Sequence, residues 1–166
     1  MKKLINKTII LSLFVALTGC NDWLDVSPKA DMKAEDLFGT EAGFRDALVG
    51  VYALMCGTNS YGRDLTYGYL DVLAQYYNSP LKTTSSGYEH NFKNAAEYKY
   101  TEKTEESRIS SIWSNHFSAV ANINQAMLFI DENKGVFTSP EVHDVYKGEF
   151  LALRAFLHFD LLSLFA

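Results

Sequence analysis

The chain is 166 residues long, carries 20 Asp and Glu against 15 Lys and Arg, and has a formal net charge of −5 at pH 7. An acidic chain without a basic run is a poor partner for nucleic acid, whose phosphates are neutralised by clustered Lys and Arg. Its 2 cysteines leave no room for a disulfide framework or a Cys-based metal site, whereas 10 Tyr, 11 Phe and 2 Trp make aromatics the strongest compositional signal.

The first segment is a leader. Lys2, Lys3 and Lys7 form a positive opening, and Ile9 to Leu17 is an apolar run too short to span a bilayer. The run closes on Leu17-Thr18-Gly19-Cys20. This resembles a bacterial lipobox, in which the cysteine thiol receives a diacylglycerol, the preceding peptide bond is cut and the new amino terminus is acylated. The pattern predicts a lipoprotein signal peptide over residues 1–19, with Cys20 as the lipid attachment residue of a tethered, not a spanning, protein. An ordinary secretory signal would instead end on small residues with no cysteine directly after them. Removing the leader takes away three lysines and no acid, so the mature chain is more acidic still and long enough for one modest domain. With Cys20 lipidated, Cys56 is the remaining thiol, and its place beside Met55 at the end of an apolar run predicts a buried structural cysteine.

Residues 20–39 show no sustained helical period, and Pro28 disfavours helix at Ser27, so they read as an extended arm. From Thr40 the pattern changes. Phe44, Ala47, Leu48, Val51, Tyr52 and Met55 recur at helical spacing, with Thr40 as N-cap and Gly57 as a stop. A second, weaker helix is predicted over 64–77 on Leu65, Leu70, Leu73, Ala74 and Tyr77, ending before Asn78-Ser79-Pro80. The polar stretch 82–104 reads as a long loop, of the kind compact domains keep for function or leave disordered. A long third helix follows over 105–132, with Ile109, Ile112, Trp113, His116, Val120, Ile123, Asn124, Met127 and Leu128 in one stripe. Ser139 as N-cap and Pro140 at the first helical position then start a fourth. Its end, Leu161 to Phe165, is apolar on nearly all sides and should be buried on several faces. Nothing in the sequence follows to cover it, which suggests an amino-terminal fragment of a longer protein.

No HExxH, GxSxG or GxxxxGK[ST] pattern occurs, and His90, His116, His143 and His158 lack ligand spacing. No catalytic residue, metal site or cofactor is therefore expected. His116, on the apolar stripe, reads as a satisfied core histidine; His158 and Asp160 are two apart on a helix and face different ways. Glu102, Glu105 and Glu106 sit where acids complement a helix dipole, and Glu149 and Arg154 read as polar members of a helix interface. The polar loop is different. Tyr77, Asn78, Tyr88, His90 and Asn91, with Phe92, combine flat apolar faces with hydrogen-bonding groups, matching the CH faces and hydroxyl edges of a sugar. The same aromatics can equally serve as anchors pinning the loop to the domain.

Four places together resemble one known family. They are the lipobox ending at Cys20, the segment Trp23-Leu24-Asp25-Val26-Ser27-Pro28, the helix Ile112-Trp113-Ser114-Asn115-His116-Phe117 through Asn122-Ile123-Asn124, and Gly148-Glu149-Phe150-Leu151-Ala152-Leu153-Arg154-Ala155-Phe156-Leu157-His158-Phe159-Asp160-Leu161. In order and spacing they are similar to the SusD/RagB nutrient-binding outer-membrane lipoproteins of Bacteroidetes, with their FLDVSP, W...Y..I..N and GEALFLRAFAHFDLVRLFG patterns. The resemblance implies an all-α fold, a tetratricopeptide-like helical hairpin scaffold with a long loop, here truncated. It divides the chain into the leader, the arm of residues 20–39 and an incomplete helical domain over 40–166. It further implies a non-catalytic, surface-exposed lipoprotein of the outer membrane that captures oligosaccharides and delivers them to a TonB-dependent SusC-like transporter. A peptide-binding member of the family and a fragment of a surface lipoprotein hydrolase are the alternative readings.

Overall fold

The computed structural model of the chain describes residues 33–77 and 92–166. The expected leader, Cys20 and most of the expected arm lie outside the described residues, as do Asn78, Tyr88, His90 and Asn91. Among the described residues the architecture is all α, without a strand.

The expected arm gives way to one helical turn, α1 (Ala34–Leu37), before its end. Phe38 explains the change. It is 2 % exposed, with its ring centre 5.0 Å from Phe44 and 5.2 Å from Phe129, so the chain folds back there onto the core. Helix α2 (Glu41–Met55) starts as its sequence predicts, with the Thr40 hydroxyl accepting from the Gly43 amide at 3.1 Å. It buries Phe44, Leu48 and Val51. Cys56 falls just past this stripe at the helix end and is exposed, so the expectation of a buried thiol does not hold.

The predicted second helix shrinks to α3 (Tyr69–Leu73). Residues 58–68 instead form successive turns, closed by bonds such as Gly62 N–H to the Gly57 carbonyl and Gly68 N–H to the Arg63 carbonyl. Gly62 and Gly68 admit these turns because a Cβ would lie 2.2 Å from the Cys56 oxygen and 2.8 Å from the Arg63 oxygen respectively. The expected long loop contains a further short helix, α4 (Lys93–Ala96).

Helices α5 (Lys103–Ile130) and α6 (Pro140–Phe165) form a long hairpin across a 3₁₀ turn at Lys134–Val136. Side-chain links fix its direction. Lys147 meets Asp131 at 2.6 Å, Arg154 donates to Asn124 Oδ1 at 3.1 Å, and His116 faces Asp160 at 3.7 Å, so the helices run antiparallel. Helix α2 packs on both: Asn115 Nδ2 donates to the Leu54 carbonyl at 2.9 Å, and the Tyr52 hydroxyl donates to Glu149 Oε1 at 2.6 Å. Glu149 and Arg154 thus bridge helices, as their sequence suggested. Between the three lie Phe44, Val51, Ile123, Ile130 and Phe150, all 0 % exposed, and Leu157 at 1 %. A smaller cluster of Tyr69, Val72, Ala95 and Ile112 joins α3 and α4 to α5. The apolar end of α6 buries Leu157 and Leu161 as one stripe, while Phe159 and Leu162 stay 65 % and 63 % exposed. Among the described residues, no helix is long and apolar enough to cross a membrane.

Candidate functional site

The short elements between α2 and α5 gather tyrosines. Tyr67, Tyr76, Tyr77, Tyr98 and Tyr100 are all exposed, and they flank α3 and α4 in sequence. Three of their hydroxyls are spent on the backbone. Tyr67 donates to the Gly62 carbonyl at 2.9 Å, Tyr98 to the Leu73 carbonyl at 2.9 Å, and Tyr77 to the Tyr67 carbonyl. A phenol tied at its tip has little rotational freedom, while its ring face remains available to a partner.

Two residues in left-handed backbone hold the short helices together. Gln75, at φ 58°, ends the turn after α3, and Tyr98, at φ 54°, ends the turn after α4. Each reaches across to the other segment: Gln75 Nε2 donates to the Ala96 carbonyl at 3.2 Å, and Tyr98 to Leu73 as above. These bonds satisfy carbonyls that helix ends leave without partners and offset the cost of the unfavourable backbone.

Beneath the tyrosines lies a buried charge cluster. Asp64 and Glu105 are both 0 % exposed. Arg63 Nε bonds Asp64 Oδ1 at 2.7 Å, Arg108 Nη1 lies 3.4 Å from Asp64 Oδ2, and Arg108 Nε lies 3.7 Å from Glu105 Oε2. The two guanidiniums also stack over Phe92, at 4.5 Å for Arg108 and 5.6 Å for Arg63. Phe92 is the first described residue after position 91, so the expected loop is held at this point inside it by two cations over one ring. Burial pushes the Glu105 carboxyl up, helped by the Asp64 charge and opposed by Arg108. Burial, reinforced by Glu105, also drives the Tyr69 phenol up to about 12. Glu105 is therefore no solvated dipole partner, contrary to its sequence reading: its i,i+3 neighbour Arg108 draws it inward.

A cleft of about 290 Å³ opens beside this cluster, lined by Tyr69, Leu70, Leu73, Tyr100, Ile109 and Phe165 among others. Its lining is largely aliphatic and suits an apolar group better than a hydroxylated one. A second hollow, of about 310 Å³, lies at the start of α6 between Lys134, Phe137, Ser139 and His143.

Of the five loop candidates, Tyr77 is described, and it joins the tyrosine cluster with 51 % exposure. Sequence reasoning missed Tyr67, Tyr76, Tyr98 and Tyr100. The available signal was the density of tyrosine over residues 67–100, which begins well before the polar loop. Among the described residues, no group of three His, Cys, Asp or Glu side chains could hold a metal ion.

A family model described as SusD-like, starch-binding associating with outer membrane, matches residues 22–166. No curated protein and no solved structure matches the chain.

Proposed function

Because the chain belongs to the SusD-like family, described as starch-binding and associated with the outer membrane, we propose that it captures oligosaccharides at that membrane. It does so by stacking and hydrogen bonding, without catalysis. The exposed tyrosine cluster, with three phenol tips tied to backbone carbonyls, is the observation that carries this reading. Rings held this way offer flat faces to sugar CH surfaces at little entropic cost. Asn78, Tyr88, His90 and Asn91, which lie outside the described residues, are further candidates for glycan contact by their chemistry, and Cys20 carries the lipid that holds the protein at the membrane. The captured glycan passes to a TonB-dependent SusC-like transporter.

Titration of the full chain with linear malto-oligosaccharides tests the binding. Tyr77→Ala should weaken affinity about tenfold, equivalent to about 1.4 kcal/mol, while Tyr77→Phe should preserve most of it. Unchanged affinity in Tyr77→Ala would remove that ring from the site, and no binding of any oligosaccharide by the full chain would overturn the reading. For the anchor, Cys20→Ala should abolish metabolic labelling with palmitate. Persistent labelling would refute the lipobox.

A further inference from the structure

The long hairpin holds a second buried polar contact, outside the tyrosine cluster. His116 of α5 is 1 % exposed and faces Asp160 of α6, with 3.7 Å between Nε2 and Oδ2. The other ring nitrogen, Nδ1, lies 3.0 Å from the Ile112 carbonyl oxygen. A carbonyl only accepts, so Nδ1 carries the hydrogen and donates it. In the neutral ring Nε2 then presents a lone pair, and an ionised Asp160 would set one acceptor against another. Both atoms are buried, and neither has a hydrogen-bond partner. Two opposed acceptors in a buried interface are costly, and a single hydrogen between them removes the conflict.

We infer that His116 and Asp160 share one proton between Nε2 and Oδ2, and that this proton latches α5 to α6. Two arrangements satisfy the geometry: a carboxylic acid donating to a neutral ring, or an imidazolium donating to a carboxylate. Burial lowers the His116 pKa and raises that of Asp160, which favours the first. From the turns between α2 and α3, Tyr61 faces the histidine at 6.1 Å between ring centres and stacks on Phe156 of α6 at 5.5 Å. Its hydroxyl is likewise buried without a partner. Among the described residues, no charged side chain contributes to either shift. The separation exceeds hydrogen-bond length, so the latch closes by a small side-chain adjustment. Removing the proton leaves two opposed acceptors, so the contact weakens once the shared proton is lost.

Nuclear magnetic resonance of the full chain, with labelled histidine nitrogens and carboxyl carbons, tests the latch. The expected result is an Nδ1–H tautomer for His116 and one midpoint shared by its ring and the Asp160 carboxyl. Asp160→Asn keeps the burial but removes the carboxyl, and should lower the His116 midpoint by a unit or more, a tenfold loss of proton affinity. An Nε2–H tautomer would overturn the inference, as would an unchanged midpoint in Asp160→Asn. Should that variant not fold, the native titrations decide alone: Asp160 ionising in the ordinary carboxylate range, independently of His116, sinks the latch.

Discussion

At the scale of single residues, Gly43 shows how a missing side chain shapes the packing. A Cβ there would lie 1.6 Å from the Leu37 carbonyl oxygen, so the chain leaving α1 crosses directly on the first turn of α2. Gly43→Ala should therefore destabilise the protein by about 3 kcal/mol, read by denaturant unfolding, whereas Gly50→Ala, with nothing within 4 Å, should not destabilise it. Asp64 is the second sensitive residue. Asp64→Ala would remove the buried carboxylate that both guanidiniums share, leaving Arg108 with Glu105, and cost about 3 kcal/mol. Glu105 gives a pH prediction. Its folded pKa is raised, so its contribution is fully present below the ordinary carboxyl value and is lost as pH rises through the folded one. Glu105→Gln has no such loss. Measured against pH, the variant should melt higher than the native protein at neutrality, with the difference shrinking toward acid.

At the scale of elements, the boundaries that held are those written in local chemistry. Thr40 and Ser139 cap their helices with hydroxyls that accept from the Gly43 and Val142 amides, as Ser, Thr and N1 proline predict. Helices α3 and α4 are too short to stand alone and are held by the crossed bonds of Gln75 and Tyr98. Tyr98→Phe removes one donor and should speed amide hydrogen exchange in residues 69–75 while costing the whole protein only about 1 kcal/mol. On α6 the burial is one-sided. Leu157→Ala should cost about 2–5 kcal/mol by opening the core, and Phe159→Ser, on the exposed face, less than about 1 kcal/mol; thermal melts of both compare the two faces.

At the scale of the whole molecule, the all-α class, three of the four expected helices and the hairpin were legible, because long amphipathic segments and their caps are local properties. Membership of the SusD-like family was legible too, since it rests on ordered short patterns along the chain. The site was legible only in part. Tyr77 was among the loop candidates, but its phenol is tied to the Tyr67 carbonyl, and Tyr98 is tied to the Leu73 carbonyl 25 residues away, with Tyr100 6.2 Å from it between ring centres, pairings that no spacing rule expresses. Asp64 looked like the start of a helix and became the centre of a buried ion cluster, because Arg63 and Arg108 meet there from segments 44 residues apart. His116 looked like a satisfied core residue and instead faces Asp160 across the hairpin. By itself the sequence determined where helices start and which stripes are apolar, both consequences of short-range periodicity and capping, and its ordered motifs carried the family. Only the tertiary structure decided which polar groups share a buried space, because desolvation and pairing depend on distances between residues far apart along the chain.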